Sequence, residues 1–419
     1  MKHRDKYIVL VLFLSAGLFS ADFFSYYAEF SQKLYQDNEI IHVPAVKSRG
    51  WDRIFSLYEQ LYELRLQKET DTDDLCDEVE DVIDDIDDGV ITGLSKYEKE
   101  FLSALFYGSL AYIKSSDPGL GMFRDVRRSK KLFEEMNLKY RTSDTAFGGA
   151  LTEIALGMYF QNSFWVNSVL GYNGNILKGL KDLDNIAFSG EITKIEANLF
   201  LIEYFGIILK DHNSSVRYSR NLFEINQGSK YFKYLYARDL YHTGKIKQAY
   251  IIFKDINGSI SDRFYAFQYE SVIYEARCLY ISGEIQEAEA VIKYASGIHD
   301  GYILQKFRNE WISSVRIRRE IVFRPQYAAG ADPALSDDEL RRSAFIYFDH
   351  GFFREAARTI DAIKKPLPEV NVLKFKTAVI MQDWKRAEKI YDIHGSEFGD
   401  DPDRARIDLL INIMHCHLN

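Results

Sequence analysis

YFKYLYARDLYHTGKIKQAYIIFKDI, Tyr231 to Ile256, reads as two short helices back to back. Its first half sets Tyr236, Ala237 and Leu240 on one helical face. Its second half sets Ile246, Ala249 and Phe253 on another, at spacings of three and four. His242-Thr243-Gly244 interrupts the pattern, and glycine takes a left-handed turn there without a Cβ clash. Ala237 and Ala249 stand where two helix backbones have to approach closely. Such a pair cannot bury its apolar surface alone, so it predicts neighbouring pairs.

The turn repeats downstream. GKIKQA (Gly244 to Ala249) is followed by GEIQEA (Gly283 to Ala288), GFFREA (Gly351 to Ala356) and QDWKRA (Gln382 to Ala387). Each has an apolar residue two after its start (Ile246, Ile285, Phe353, Trp384) and an Ala five after it. Phe253, Ile292, Ile360 and Tyr391 follow one helical turn beyond that Ala. Seven before the first three turns stand Ala237, Ala276 and Ala344; the fourth has Phe375 there. The turn starts are 39, 68 and 31 residues apart, and the middle gap fits two units of roughly 34 residues. One degenerate unit is expected inside it.

This pattern resembles the tetratricopeptide repeat (TPR) over residues 230–395, although the early Trp of the first helix and the closing Pro are missing. The resemblance implies an all-α fold, a right-handed α-solenoid of antiparallel helix pairs. Irregular loops are expected in its N-terminal half. In such stacks the first helices line the concave side. The resemblance thereby selects Tyr231, Tyr234, Arg238, Tyr241 and His242 in the first clear unit, and Glu270, Ile273, Arg277, Tyr280 and Ile281 in the second. Arg238 and Arg277 each lie six before their turn glycine and would stand side by side; Arg341, ten before Gly351, adds a third cation. Tyr rings beside guanidinium groups suit an extended peptide bearing a carboxylate. The competing reading pairs these Arg residues with the abundant Asp and Glu.

The chain begins differently. Lys2, His3, Arg4 and Lys6 precede Tyr7 to Phe19, thirteen residues without a charge. A basic head and a short apolar core make residues 1–21 a secretory signal peptide, short of the ~20 residues a spanning helix needs. Cleavage is expected near Ser20 or Ala21; the alternative is an uncleaved N-terminal anchor. The first cysteine is Cys76, too far on for a lipid-anchoring residue.

Residues 22–90 form an N-terminal helical segment ending in an acidic run, Glu69 to Gly89. Leu75, Val79, Val82 and Ile86 recur through it at four, three and four, the mark of a helix with one apolar stripe. The alternating acids, central Gly and terminal Glu of a calcium loop are missing. Residues 91–225 read as divergent helical repeats. Lys96 to Ile113 carries small residues at Ser103, Ala104, Gly108, Ser109 and Ala111; Thr145 to Phe160 carries Ala146, Gly148, Gly149 and Ala150. A loop around Gly119–Phe123 is expected before a helix from Asp125 to Lys139. GYNGNILKGL (Gly171 to Leu180) is a weak further match to the turn. Helices are expected over Lys194–Lys210 and Val216–Ile225, then TPR-like repeats over 226–419.

Composition narrows function by exclusion. A net charge of −9 argues against a nucleic-acid binder, which needs a basic face. Three distant cysteines make no disulfide framework. Gly119-x-Gly121 lacks the strand and Gly-Lys-Ser/Thr of a phosphate loop, and no nucleophile elbow, His-Glu-x-x-His or Cys-x-x-Cys occurs. His415-Cys416-His417 cannot present three ligands to one ion from a helix, whose neighbours point about 100° apart. No metal, cofactor or catalytic residue is therefore assigned. The leading expectation is an exported, periplasmic or extracellular, non-enzymatic scaffold that binds a peptide or protein in its groove. Behind it stand a structural component of a cell-envelope assembly or secretion machine, with an envelope-protein partner, and a helical-repeat enzyme without a recognisable motif.

Overall fold

The computed structural model describes residues 50–65, 72–114, 120–159, 174–258, 266–298, 336–349, 353–400 and 404–418. The expected signal peptide, the start of the N-terminal helical segment, the degenerate unit of the middle gap and the Gly351 turn lie outside these residues. Every regular element described is helical. No helix among the described residues is long and apolar enough to cross a membrane.

The chain divides into two compact units, residues 1–204 with 218–230, and residues 205–217 with 231–419. The first contains α1 (Trp51–Arg65), α2 (Thr72–Asp87), α3 (Lys96–Ile113), α4 (Leu120–Tyr140), α5 (Phe147–Tyr159), α6 (Ile176–Ser189) and α7 (Lys194–Ile202). Successive helices pack on one another: α2 on α3, α3 on α4, α5 on α6 and α6 on α7. The acidic run is α2, and its stripe of Leu75, Val79, Val82 and Ile86 is buried. Lys114, just past α3, donates to Glu80 at 2.8 Å and to Asp125 at 2.9 Å, tying α2 to α4. Gly179 of α6 allows the close approach expected of small residues, since a Cβ there would meet the Ala150 carbonyl of α5 at 2.5 Å.

Several expected boundaries differ: the helix expected over Val216–Ile225 starts at His212, and the one expected from Thr145 starts at Phe147 behind a 3₁₀ turn. Helix α4 starts at Leu120, so Gly121 lies in its first turn, where the expected loop is not found. Helix α7 stops at Ile202, and the chain continues as a π-helical turn over Glu203–Ile208 rather than as one helix to Lys210. The wider turn closes through a 2.7 Å bond from Asp211 N–H to the Phe205 carbonyl, and Lys210 takes φ 51°. The side chain of Asp211 then caps α8 (His212–Ile225), accepting from Ser214 N–H at 3.2 Å and Ser214 Oγ at 2.6 Å.

The second unit holds the repeated hairpins: α9 (Lys230–His242) with α10 (Ile246–Asn257), α11 (Ala266–Ser282) with α12 (Ile285–Ile298), α13 (Asp337–Asp349) with α14 (Phe353–Ala362), and α15 (Pro368–Ile380) with α16 (Trp384–His394). Helix α17 (Arg404–Leu418) follows. Three of the four aligned turns are described, and they share one geometry. Gly244, Gly283 and Gln382 have φ of 82°, 96° and 58°. At each, its own N–H bonds the carbonyl three back (Tyr241, Tyr280, Val379) while the next N–H reaches five back (Leu240, Leu279, Ala378). This reversal satisfies carbonyls that a helix end leaves bare. Ala249, Ala288 and Ala387 behind these three turns are fully buried, as are Ala356 on α14 and Ala237 and Ala276 on the first helices. Phe375 takes that first-helix position in the fourth hairpin, its ring 5.2 Å from that of Phe398.

Helix α13 opens with a capping box, Ser336 and Glu339 each accepting the other's backbone N–H, at 3.3 and 2.9 Å. Lys210 Nζ sits 5.0 Å over the ring of Phe348 on α13, whereas each unit of an ideal linear repeat array touches only the next.

Candidate functional site

Most of the residues selected by the resemblance meet in one polar and aromatic seam of the second unit. Three helices build it, each offering polar groups one turn apart. Helix α8 supplies His212 and Ser215, α9 supplies Tyr234, Arg238, Asp239 and His242, and α11 supplies Glu270, Tyr274 and Arg277.

Asp239 is its centre and is fully buried. Its Oδ2 accepts from Ser215 Oγ at 2.7 Å, and its Oδ1 lies 2.9 Å from His212 Nδ1. A carboxylate only accepts, so the His212 proton belongs on Nδ1. Arg238 Nη2 stands 3.5 Å from the same Oδ1. The His212 ring lies flat on His242, 4.0 Å between centroids and 10° between planes. His242 Nε2 in turn meets the Tyr274 hydroxyl at 3.0 Å. On the other side of the seam the Tyr234 hydroxyl donates to Glu270. Arg277 lies over the Tyr274 ring at 5.2 Å, and Tyr241 packs edge-on against that ring at 5.0 Å.

Electrostatics follow from this arrangement. Burial would raise the Asp239 carboxyl, but Arg238, His212 and Ser215 hold it below its ordinary value. Burial works against charge on Arg238, and Asp239 more than restores it, so the guanidinium stays protonated. His212 is lowered, first by burial and then by Arg238 and Lys210, against the pull of Asp239. Burial pushes the Tyr274 hydroxyl up to about 12 although Arg277 and Arg238 oppose it. Tyr234 is raised further by burial and Glu270.

The expected exposure of this face is only partly found. Tyr234, Arg238, Tyr241, Ile273 and Ile281 are buried; Tyr231, His242, Glu270, Arg277 and Tyr280 are half-buried. Arg238 is covered because segment 205–217 lies against it: a Cβ on Gly206 would come within 3.2 Å of Nη2. Arg238 Nε and Nη2 and Arg277 Nε are buried without a hydrogen bond. Arg341 stands apart from the seam and pairs with Asp338 at 3.0 Å and Glu369 at 3.2 Å, as the competing reading expects.

His212, Ser215, Asp239 and Tyr274 were not singled out from the sequence. The available signal was the adjacent Arg238-Asp239 pair set between apolar Ala237 and Leu240, one turn before His242. At the C-terminus His417 stacks on Trp384 at 4.0 Å while His415 meets Tyr391 edge-on at 6.1 Å, so the two turn to different neighbours. Among the described residues no group of three or more His, Cys, Asp or Glu is placed to hold a metal ion. No protein-family model matches the chain, and no curated protein matches it.

Proposed function

We propose that the chain is an exported, non-catalytic scaffold, a TPR-like right-handed solenoid that binds a protein or peptide along the first helices of its hairpins. What supports this is the hairpin geometry shared by Gly244, Gly283 and Gln382, with a buried alanine behind each turn. Repetition of one unit sets equivalent first helices side by side, and here they carry half-buried Tyr231, Glu270, Arg277 and Tyr280 at their rims. Aromatic and guanidinium groups of that kind are the side chains from which binding hot spots are built. Arg277 is the cation best placed to meet an acidic group of the partner, since Arg238 is enclosed and Arg341 is already paired with two acids.

The test is site-specific photocrosslinking in the native compartment. A crosslinker at Tyr280 should capture a defined partner, and one at exposed Ile251, on the second helix α10, should not. Adducts formed from position 251 and none from 280 would place the binding face on the second helices and end this reading.

A further inference from the structure

The seam contains a device that the binding proposal does not use. Contacts of segment 205–217 with α9 include His212 on Asp239, Ser215 on Asp239, the His212 ring on the His242 ring, and Gly206 beneath Arg238. These fall on Arg238, Asp239 and His242, within the last turns of α9. The segment itself is a π-helical turn followed by Lys210 at φ 51°, a backbone state that favours glycine and that surrounding contacts must hold in place.

We propose that the His212–His242 stack is a proton-operated latch, holding segment 205–217 on α9 near neutral pH and releasing it in mildly acidic solution. Two neutral imidazoles stack favourably face to face; two imidazolium rings at that separation repel. Because Nδ1 of His212 already carries a proton for Asp239, the added proton must go to Nε2, leaving the ring positively charged. The charged groups facing it are Asp239 and Arg238 on α9 and Lys210 on its own segment. His242 faces Tyr274 on α11, beside which stand Arg277 and Glu270. One carboxylate beside the His212 ring is thus set against Arg238, Lys210 and, once protonated, His242.

Direction follows from linkage. A histidine lowered in the closed form takes up its proton more readily when released. The closed form is therefore at full strength above the ordinary histidine value and weakens as pH falls through that value toward the lowered one. This is the range in which histidine switches commonly operate. The latch needs no partner, so it stands or falls separately from the binding proposal.

The experiment is hydrogen exchange on the full chain at about pH 8 and about pH 5.5, either side of the histidine range, with intrinsic rates corrected for pH. Amides of 205–217 should lose protection several-fold at the lower pH, while those of α15 and α16 keep theirs. His212→Asn retains an N–H for Asp239 but cannot titrate, and its protection should be the same at both pH values. Should that variant fold poorly, His242→Phe keeps a flat ring without the second charge and should shrink the difference to the part that His212 carries alone. Wild-type protection that is equal at both pH values would overturn the latch. So would a pH-dependent loss that persists undiminished in the variants.

Discussion

Gln382 adopts the backbone turn of Gly244: φ is 58° at one and 82° at the other, and each N–H bonds the carbonyl three residues back. A side chain in this left-handed region clashes with the backbone at a cost of roughly 1–2 kcal/mol, which glycine escapes. Gln382→Gly should thus stabilise the chain by about 0.5–1 kcal/mol, the strain relieved less the entropy glycine loses on folding. Gly283→Ala should destabilise by about 1–2 kcal/mol. Denaturant midpoints at constant slope check both, and shifts of the same sign would mean the turns are not equivalent.

Ala249 is fully buried on α10, which packs on α11. Ala249→Trp should overpack that contact by about 1–3 kcal/mol or more. Because hairpins rest on their neighbours, exchange should rise locally over residues 215–295 and stay unchanged in α15 and α16. A uniform rise along the chain would mean the unit unfolds as one cooperative block.

Those two cases show what the sequence made legible. Reversal by a left-handed residue and burial of a small one are local demands, visible as Gly244 and Ala249 at fixed separation. They hold even where glycine is replaced by Gln382. Whether a polar residue faces solvent or a neighbour depends on which helices meet, and that is not written locally. The register of Arg238, six before its turn, is matched by Arg277. Yet Arg238 is buried because a π-helical turn brings Gly206 onto it, and no periodicity announces that turn. Asp239 follows a charged Arg238 and so does not stand out locally; its partners, His212 and Ser215, lie 27 and 24 residues away.

Phe375 stands where the first three units have alanine, and its ring is closed in by Tyr391 and Phe398. Phe375→Ala should accordingly cost about 3–5 kcal/mol, although alanine serves at Ala237, Ala276 and Ala344. The difference is volume: in the fourth hairpin the 3₁₀ segment Gly395–Asp400 packs Phe398 against that ring, and a cavity would remain. Thermal unfolding would read it, and a loss under about 1.5 kcal/mol, the range of well-tolerated apolar swaps, would show that α16 collapses to fill the space.

The pair at the centre of the seam carries the last prediction. Asp239→Ala removes the buried carboxylate but leaves Arg238 charged and enclosed, so the loss should be about 3–5 kcal/mol. Replacing both, Arg238→Met with Asp239→Leu, removes the charge and its counter-charge together and should recover much of that loss, because a buried ion pair is itself only weakly stabilising. The recovery has a ceiling, since His212 and Ser215 still lose their acceptor. Acid titration separates this pair from the histidine latch. The Asp239 carboxyl is held below its ordinary value, so its contribution is complete above the unfolded carboxylate value and is lost as pH falls through the lower folded one. Wild type should therefore weaken in two steps: a local step at 205–217 in the histidine range and a global one in the carboxylate range. The double variant should lack the share of the second step that Asp239 contributes. A double variant less stable than Asp239→Ala would mean that the seam depends on Arg238 through contacts other than Asp239, the Tyr234 ring at 6.0 Å being the first to examine.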